Sequence, residues 1–131
     1  MIIVDCTVLV DFYAGEDPYR EAAYRLLNQD SEWISVGLWR YEFGNVLLRY
    51  VRAGRLTAEA MEMALQSAEK LIVESVHEIE CNDIWSIALE KELSYYDASY
   101  VWLARLKQIP LYTREADVLR KGSEYCCAMP H

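Results

Sequence analysis

Short apolar runs alternating with longer stretches of helical periodicity constrain this 131-residue chain more than any other feature. Residues 1–4 are apolar, with Ile2, Ile3 and Val4 all strand formers, and the run stops at a carboxylate, Asp5. Such a segment reads as a buried strand. Further strands are expected at residues 33–36, 71–76 and 109–112, with an edge strand at 125–129. Helices fill the intervals. A short one is expected over 7–13, ending at Gly15. Asp17 and Pro18 then supply a cap and a first helical residue for a second, which carries Ala22, Ala23, Leu26 and Leu27 at helical spacing. A third, over 38–52, places Phe43, Val46, Leu47, Tyr50 and Val51 on one side and stops at Gly54. Thr57 caps a fourth, whose Met61, Ala64, Leu65 and Ala68 repeat at i, i+3, i+4 and i+7. Two more are expected over 81–93 and 97–106, broken near Ser94, and a last turn or two over 115–121.

Strands alternating with helices call for a central, mainly parallel sheet of four or five short strands covered on both faces, a three-layer α/β/α fold. Neither a linker nor a repeat interrupts the order, so residues 1–131 read as one domain. With 53% hydrophobic and 26% charged residues, the chain has the composition of a soluble globular protein. Its apolar runs fall far short of the roughly 20 residues a membrane helix needs. No basic segment precedes an apolar run at the N-terminus, so no signal peptide is expected and the location expected is cytoplasmic. Four cysteines, Cys6, Cys81, Cys126 and Cys127, show no CxxC pairing, and His77 and His131 are the two histidines. A structural zinc site, which needs about four clustered thiolate or imidazole ligands, is disfavoured. Thiols in a reducing compartment are the simpler reading.

The 21 acidic residues outnumber 13 basic ones, for a net charge of −8. Long-range steering towards a nucleic acid is therefore poor. An acidic chain still holds a phosphate backbone where metal ions bridge the two, and its sign suits a basic protein partner. Most of these acids belong to solvated surface, as Glu59, Glu62 and Glu69 on one helix illustrate. A few stand where a surface carboxylate is unexpected. Asp5 closes the first strand, Glu42 lies early in a helix between Tyr41 and Phe43, Asp97 opens an otherwise apolar helix, and Glu115 and Asp117 follow the strand ending at Tyr112. All lie at strand ends or helix starts, which a parallel sheet gathers beyond the carboxyl ends of its strands. Each alone has a plainer account: Asp5 and Asp97 both suit a helix N-cap.

Four stretches share a resemblance. Residues 2–10 (IIVDCTVLV) resemble the opening motif of PIN domains, a strand, an aspartate and a Ser/Thr two residues later. Residues 42–47 (EFGNVL) resemble the second acidic motif, 96–104 (YDASYVWLA) the third, and 109–115 (IPLYTRE) the fourth, where a threonine precedes the last acid by two. The order and spacing span nearly the whole chain and resemble the VapC-type toxins of VapBC toxin–antitoxin pairs. The resemblance implies a metal-dependent endoribonuclease in which Asp5, Glu42, Asp97 and Glu115 or Asp117 hold Mg²⁺ or Mn²⁺. Spacing favours Glu115, where the family usually carries aspartate. Thr7, Asn45 and Thr113 would orient carboxylates or a water. Arg114 and Arg40 are available to RNA phosphate, and Tyr95, Tyr96 and Tyr100 to bases, although Trp102 and Phe43 read as core. A homodimer and a small antitoxin with a basic or DNA-binding part are further implied, with no membrane partner.

Two rival readings compete. An aspartate-based phosphohydrolase also places an acid after its first strand, but a dehalogenase-type site wants a second aspartate where Thr7 stands, and a receiver wants an acidic pair and a late lysine that are not visible. The other is a PIN-like interaction module without catalysis, whose only mark here is the glutamate at 115.

Overall fold

The computed structural model describes residues 1–77, 81–122 and 124–130, without the side chains of Cys81 and Asn82. His131 thus lies outside the described residues, as does the Cys81 thiol. In chain order the elements are β1 (Ile2–Val4), α1 (Cys6–Ala14), α2 (Tyr19–Gln29), β2 (Trp33–Val36), α3 (Trp39–Arg52), α4 (Ala58–Leu71), β3 (Ile72–Val76), α5 (Cys81–Lys91), α6 (Tyr95–Lys107), β4 (Leu111–Tyr112), α7 (Ala116–Lys121) and β5 (Cys126–Cys127). All strand pairs are parallel, in the order β3-β2-β1-β4-β5. The expected parallel α/β/α architecture is present.

Alternation along the strands builds two cores. Ile2, Val4 and Trp33 face one layer, where they meet Val8 and Leu9 of α1, Leu26 of α2, Phe43 and Leu47 of α3 and Ala64 and Ala68 of α4. Ile3, Ile34, Val36 and Leu111 face the other, against Ile84 and Ile87 of α5, Val101, Trp102 and Leu103 of α6 and Val118 of α7. Both faces of the sheet are dry along β1 and β2, which explains why those strands read as largely apolar runs, while the edge strand β3 is partly exposed. Burying each large side chain completely contributes roughly 1.5–3 kcal/mol.

Helix ends follow local chemistry with two departures from expectation. Thr57 caps α4 through its side chain, accepting from the Ala60 N–H, and Gly54 takes φ +74° just after α3, a left-handed conformation that suits glycine. Asp17 does not cap α2: Pro18 itself holds the cap position, without a side-chain cap hydrogen bond, and Asp17 pairs with Arg20 instead. Nor does Asp97 cap α6. The helix starts two residues earlier, at Tyr95, and the Ser94 hydroxyl accepts from the Asp97 N–H at 3.0 Å. Ser94 satisfies the orphan amide, so the Asp97 carboxylate is not needed for that task. The β4 and β5 strands are shorter than expected, two residues each.

β1 lies at the centre, paired on one side with β2 (Ile3 opposite Ile34) and on the other with β4 (Val4 opposite Tyr112). The chain winds outward in opposite directions from this strand, and a crevice opens at such a reversal beyond the strand ends. Asp5 follows directly on one lip and Thr113 on the other.

Removal of the Ser94 hydroxyl (Ser94→Ala) should cost about 1 kcal/mol in a urea melt, whereas Asp97→Asn should leave stability unchanged or raised. The reverse ranking would make Asp97 the cap.

Candidate active site

Asp5 is buried at 6% exposure, yet its carboxylate is fully engaged. Oδ1 accepts from the Thr7 N–H at 3.0 Å, the Thr7 hydroxyl at 2.5 Å and the Val8 N–H at 3.4 Å, which makes Asp5 the N-cap of α1. Oδ2 accepts from the Thr113 hydroxyl. Those hydroxyls also accept: Thr7 from the Arg114 N–H at 3.0 Å, and Thr113 from the Glu115 N–H at 2.9 Å. One carboxylate thus ties the start of α1 to the segment between β4 and α7.

A cavity of about 640 Å³ opens above this knot. Asp5, Glu42, Asp97 and Glu115 all line it, together with Thr7 and Asn45. Glu42 comes from the first turn of α3, and its Oε1 accepts from the Tyr100 hydroxyl at 2.7 Å. Tyr100 was expected among residues free to stack bases. It is instead buried, at 3% exposure, because its ring belongs to the core beneath α6. Tyr96 stays exposed on the lining, and Tyr95 is exposed beside it. Trp102 and Phe43 are core residues.

Asp117 sits in the first turn of α7, exposed and paired with Arg120 at 2.6 Å, and is not among the lining residues. Arg40 and Arg114 also lie off the lining. Arg40 pairs with Glu69 and stands over the Trp39 ring, and Arg114 makes two bonds to Asp11, at 2.5 and 2.9 Å, while stacking on Tyr19. Asp11 is a buried carboxylate that sequence reasoning passed over, although an acid inside the apolar run of α1 was a signal. Arg49, exposed on the cavity lining, was missed as well. Seven residues after Glu42 is two helical turns, so the spacing alone puts both on one face.

Electrostatics mark the cavity as crowded with negative charge. Burial pushes Asp5 up to about 6, against the hydrogen bonds from Thr113, Thr7 and Val8, with Asp97 adding to the rise. Burial likewise raises Glu42, again with help from Asp97. Asp97 is raised by burial and by the charges of Glu115 and Asp117. Cys6, beside them, is raised by burial, Glu42 and Asp5 and serves as a small apolar group. Hard oxygen donors in such a cluster suit a hard divalent cation. Among the described residues, no three Asp, Glu, His or Cys side chains come close enough to enclose an ion directly. The donor set therefore fits an ion that keeps several waters, as Mg²⁺ does, rather than a closed cage.

The chain is thus a parallel α/β/α protein with an acidic crevice at its winding reversal. Residues 2–123 match the family model described as PIN domain, and the chain belongs to that family. Curated relatives include Exonuclease VapC9 of Pyrobaculum aerophilum, 29% identical over 110 residues that cover 76% of this chain and 80% of that one. Ribonuclease VapC3 of the same organism is 30% identical over 107 residues, covering 79% and 80%. Among solved structures, PAE2754 from Pyrobaculum aerophilum superposes with a TM-score of 0.76 at 22% identity over 97% of this chain and 89% of that one, a likeness of fold.

Because the Asp5 carboxyl holds its proton more tightly folded than unfolded, ionising it costs folded-state stability. The metal-free protein should lose on the order of 2 kcal/mol from this group as pH rises from about 4 to about 6. Subtracting the melts of Asp5→Asn from those of the wild type across that window isolates the loss, and a flat difference would refute it. Arg114→Ala strands the Asp11 carboxylate and should cost about 2 kcal/mol in the same assay.

Proposed function

We propose that this chain is a metal-dependent endoribonuclease and the toxin of a toxin–antitoxin pair. The observation that carries the reading is the convergence of Asp5, Glu42, Asp97 and Glu115 on one cavity in a chain of the PIN-domain family. Relatives named as a ribonuclease and an exonuclease support it. Asp5, Glu42, Asp97 and Glu115 would hold Mg²⁺ or Mn²⁺. When bound, the ion supplies an activated water at neutral pH and relieves charge building on the phosphate.

The chain's own residues do the rest. Thr7 and Thr113 fix both oxygens of Asp5, so the carboxylate cannot swing. Tyr100 holds Glu42 by Oε1 and leaves Oε2 to the cavity. Ser94 takes over helix capping and leaves Asp97 to the cavity. Glu115 is anchored through its backbone N–H to Thr113, with its side chain on the lining. Asp117 acts on the site through its field on Asp97, and Asn45 would orient water beside Glu42.

The reading extends to a single functional domain over residues 1–131, a cytoplasmic location, a homodimer and a small antitoxin whose basic part covers the acidic crevice. Within the described residues no helix is long and apolar enough to cross a membrane.

The decisive experiment incubates antitoxin-free protein with structured and single-stranded RNAs in Mg²⁺, Mn²⁺ or EDTA, beside Asp97→Asn. Cleavage by the wild type should vanish with EDTA and fall at least a hundredfold in the variant, roughly the loss of one charge-stabilising group. Millimolar Mg²⁺ or Mn²⁺ should also raise the melting temperature of the wild type by preferential binding to the folded state. Cleavage that survives in Asp97→Asn would refute this site. An inert protein whose melt ignores metal would return the chain to the interaction-module reading.

A further inference from the structure

We infer that Arg49 grips the substrate's phosphate backbone at the rim of the acidic cavity, on a phosphate next to the one being cleaved. The inference rests on the nuclease reading above and adds the cation which that reading lacks. A cavity lined by four carboxylates in a chain of net charge −8 repels a polyanion. Ions held by those carboxylates relieve charge at the reacting phosphate but leave its neighbours uncompensated, so a side-chain cation nearby is needed to hold the strand.

Arg49 is the one cation among the described residues of the cavity lining. It is exposed and joins no ion pair among the described residues. The two arginines singled out from sequence are occupied elsewhere, Arg40 by Glu69 and Arg114 by Asp11. A guanidinium already bound to a carboxylate must break that bond before it can hold a phosphate, and among the described residues Arg49 has no such bond to lose.

Position along α3 sets which phosphate it meets. Seven residues separate it from Glu42, about 10 Å along the helix axis. That offset puts Arg49 on the same lining as Glu42 but about two helical turns further along α3, so it meets a phosphate next to the reacting one rather than the reacting one itself. The planar guanidinium offers two parallel donors to phosphate oxygens, which a lysine ammonium does not reproduce.

Steady-state cleavage of a single-stranded RNA in Mg²⁺ by the wild type, Arg49→Ala and Arg49→Lys, over a series of salt concentrations, tests this. Arg49→Ala should raise KM about tenfold, the value of one charged hydrogen-bonded contact, with kcat within twofold of wild type. The slope of log kcat/KM against log salt should become shallower by about 0.7, one phosphate contact on a single strand. Arg49→Lys should restore the slope and part of the KM. Melting temperatures should match throughout, because the side chain is exposed and unpaired. An unchanged KM and salt slope in Arg49→Ala would overturn the inference and leave the nuclease reading standing, as would a fall in kcat at constant KM. A wild type that cleaves no RNA in any metal would instead remove the nuclease reading and this inference with it.

Discussion

Everything around the crevice depends on how one buried carboxylate is satisfied. Asp5 ends the central strand, where both faces of the sheet are dry, and a bare charge there is costly. Its hydrogen bonds answer that cost by recruiting neighbours from distant parts of the chain: two amides and a hydroxyl from α1, and the Thr113 hydroxyl from beyond β4. The same hydroxyls position the amides of Arg114 and Glu115. The short β4 strand, with only two residues in the ladder, is thus held in place as much by this polar knot as by its pairing. Burial still outweighs the hydrogen bonds, since the Asp5 carboxyl remains raised.

A second polar clamp works beside the first. Arg114 stands over the Tyr19 ring and binds Asp11 with two bonds, joining the β4–α7 segment to α1 and to the start of α2. Asp5 and Asp11 lie on successive turns at the start and middle of the same short helix. Together they fix the orientation of α1 against the segment that carries Thr113 and Glu115. An arginine that looks available to a ligand in the sequence is a structural brace in the fold.

Legibility in the sequence followed the physics of each feature. Strands buried on both sides announce themselves as largely apolar runs, and the positions of β1 and β2 are plain for that reason, whereas the edge strand β3 carries Glu74 and Ser75 and exposes Val73. Acids at the ends of such runs are also conspicuous, because Asp5 and Glu42 interrupt apolar surroundings. Partner choice is not local, and there reading along the chain fails. Nothing near Arg40 or Arg114 in sequence reveals Glu69, 29 residues away, or Asp11, 103 residues away. Tyr100 and Tyr96 look alike in the string YYDASY, yet one full helical turn separates a core ring from an exposed one. Asp97 suits a cap for α6 and Ser94 reads only as the break before it; the observed cap follows from where the helix begins, a boundary that periodicity locates only to within a few residues.

The acidity of the chain and the role proposed for it are reconciled by where its charges sit. The lysines and arginines that the structure holds in ion pairs are bound to acids that do not line the crevice, so they are engaged elsewhere and draw RNA little. Inside the crevice, desolvation and mutual repulsion leave Asp5, Glu42 and Asp97 all raised, and each would gain from a compensating positive charge. A proton, a divalent ion and the cationic tail of a partner protein are alternative ways to supply it. They compete for one set of oxygens, so whatever occupies the carboxylates decides whether a phosphate can follow. On the proposed reading, an antitoxin's basic segment would silence the enzyme by removing the need for the ion, with no change of fold. The acidic character that weakens long-range attraction to RNA is then the same property that makes the site easy to block.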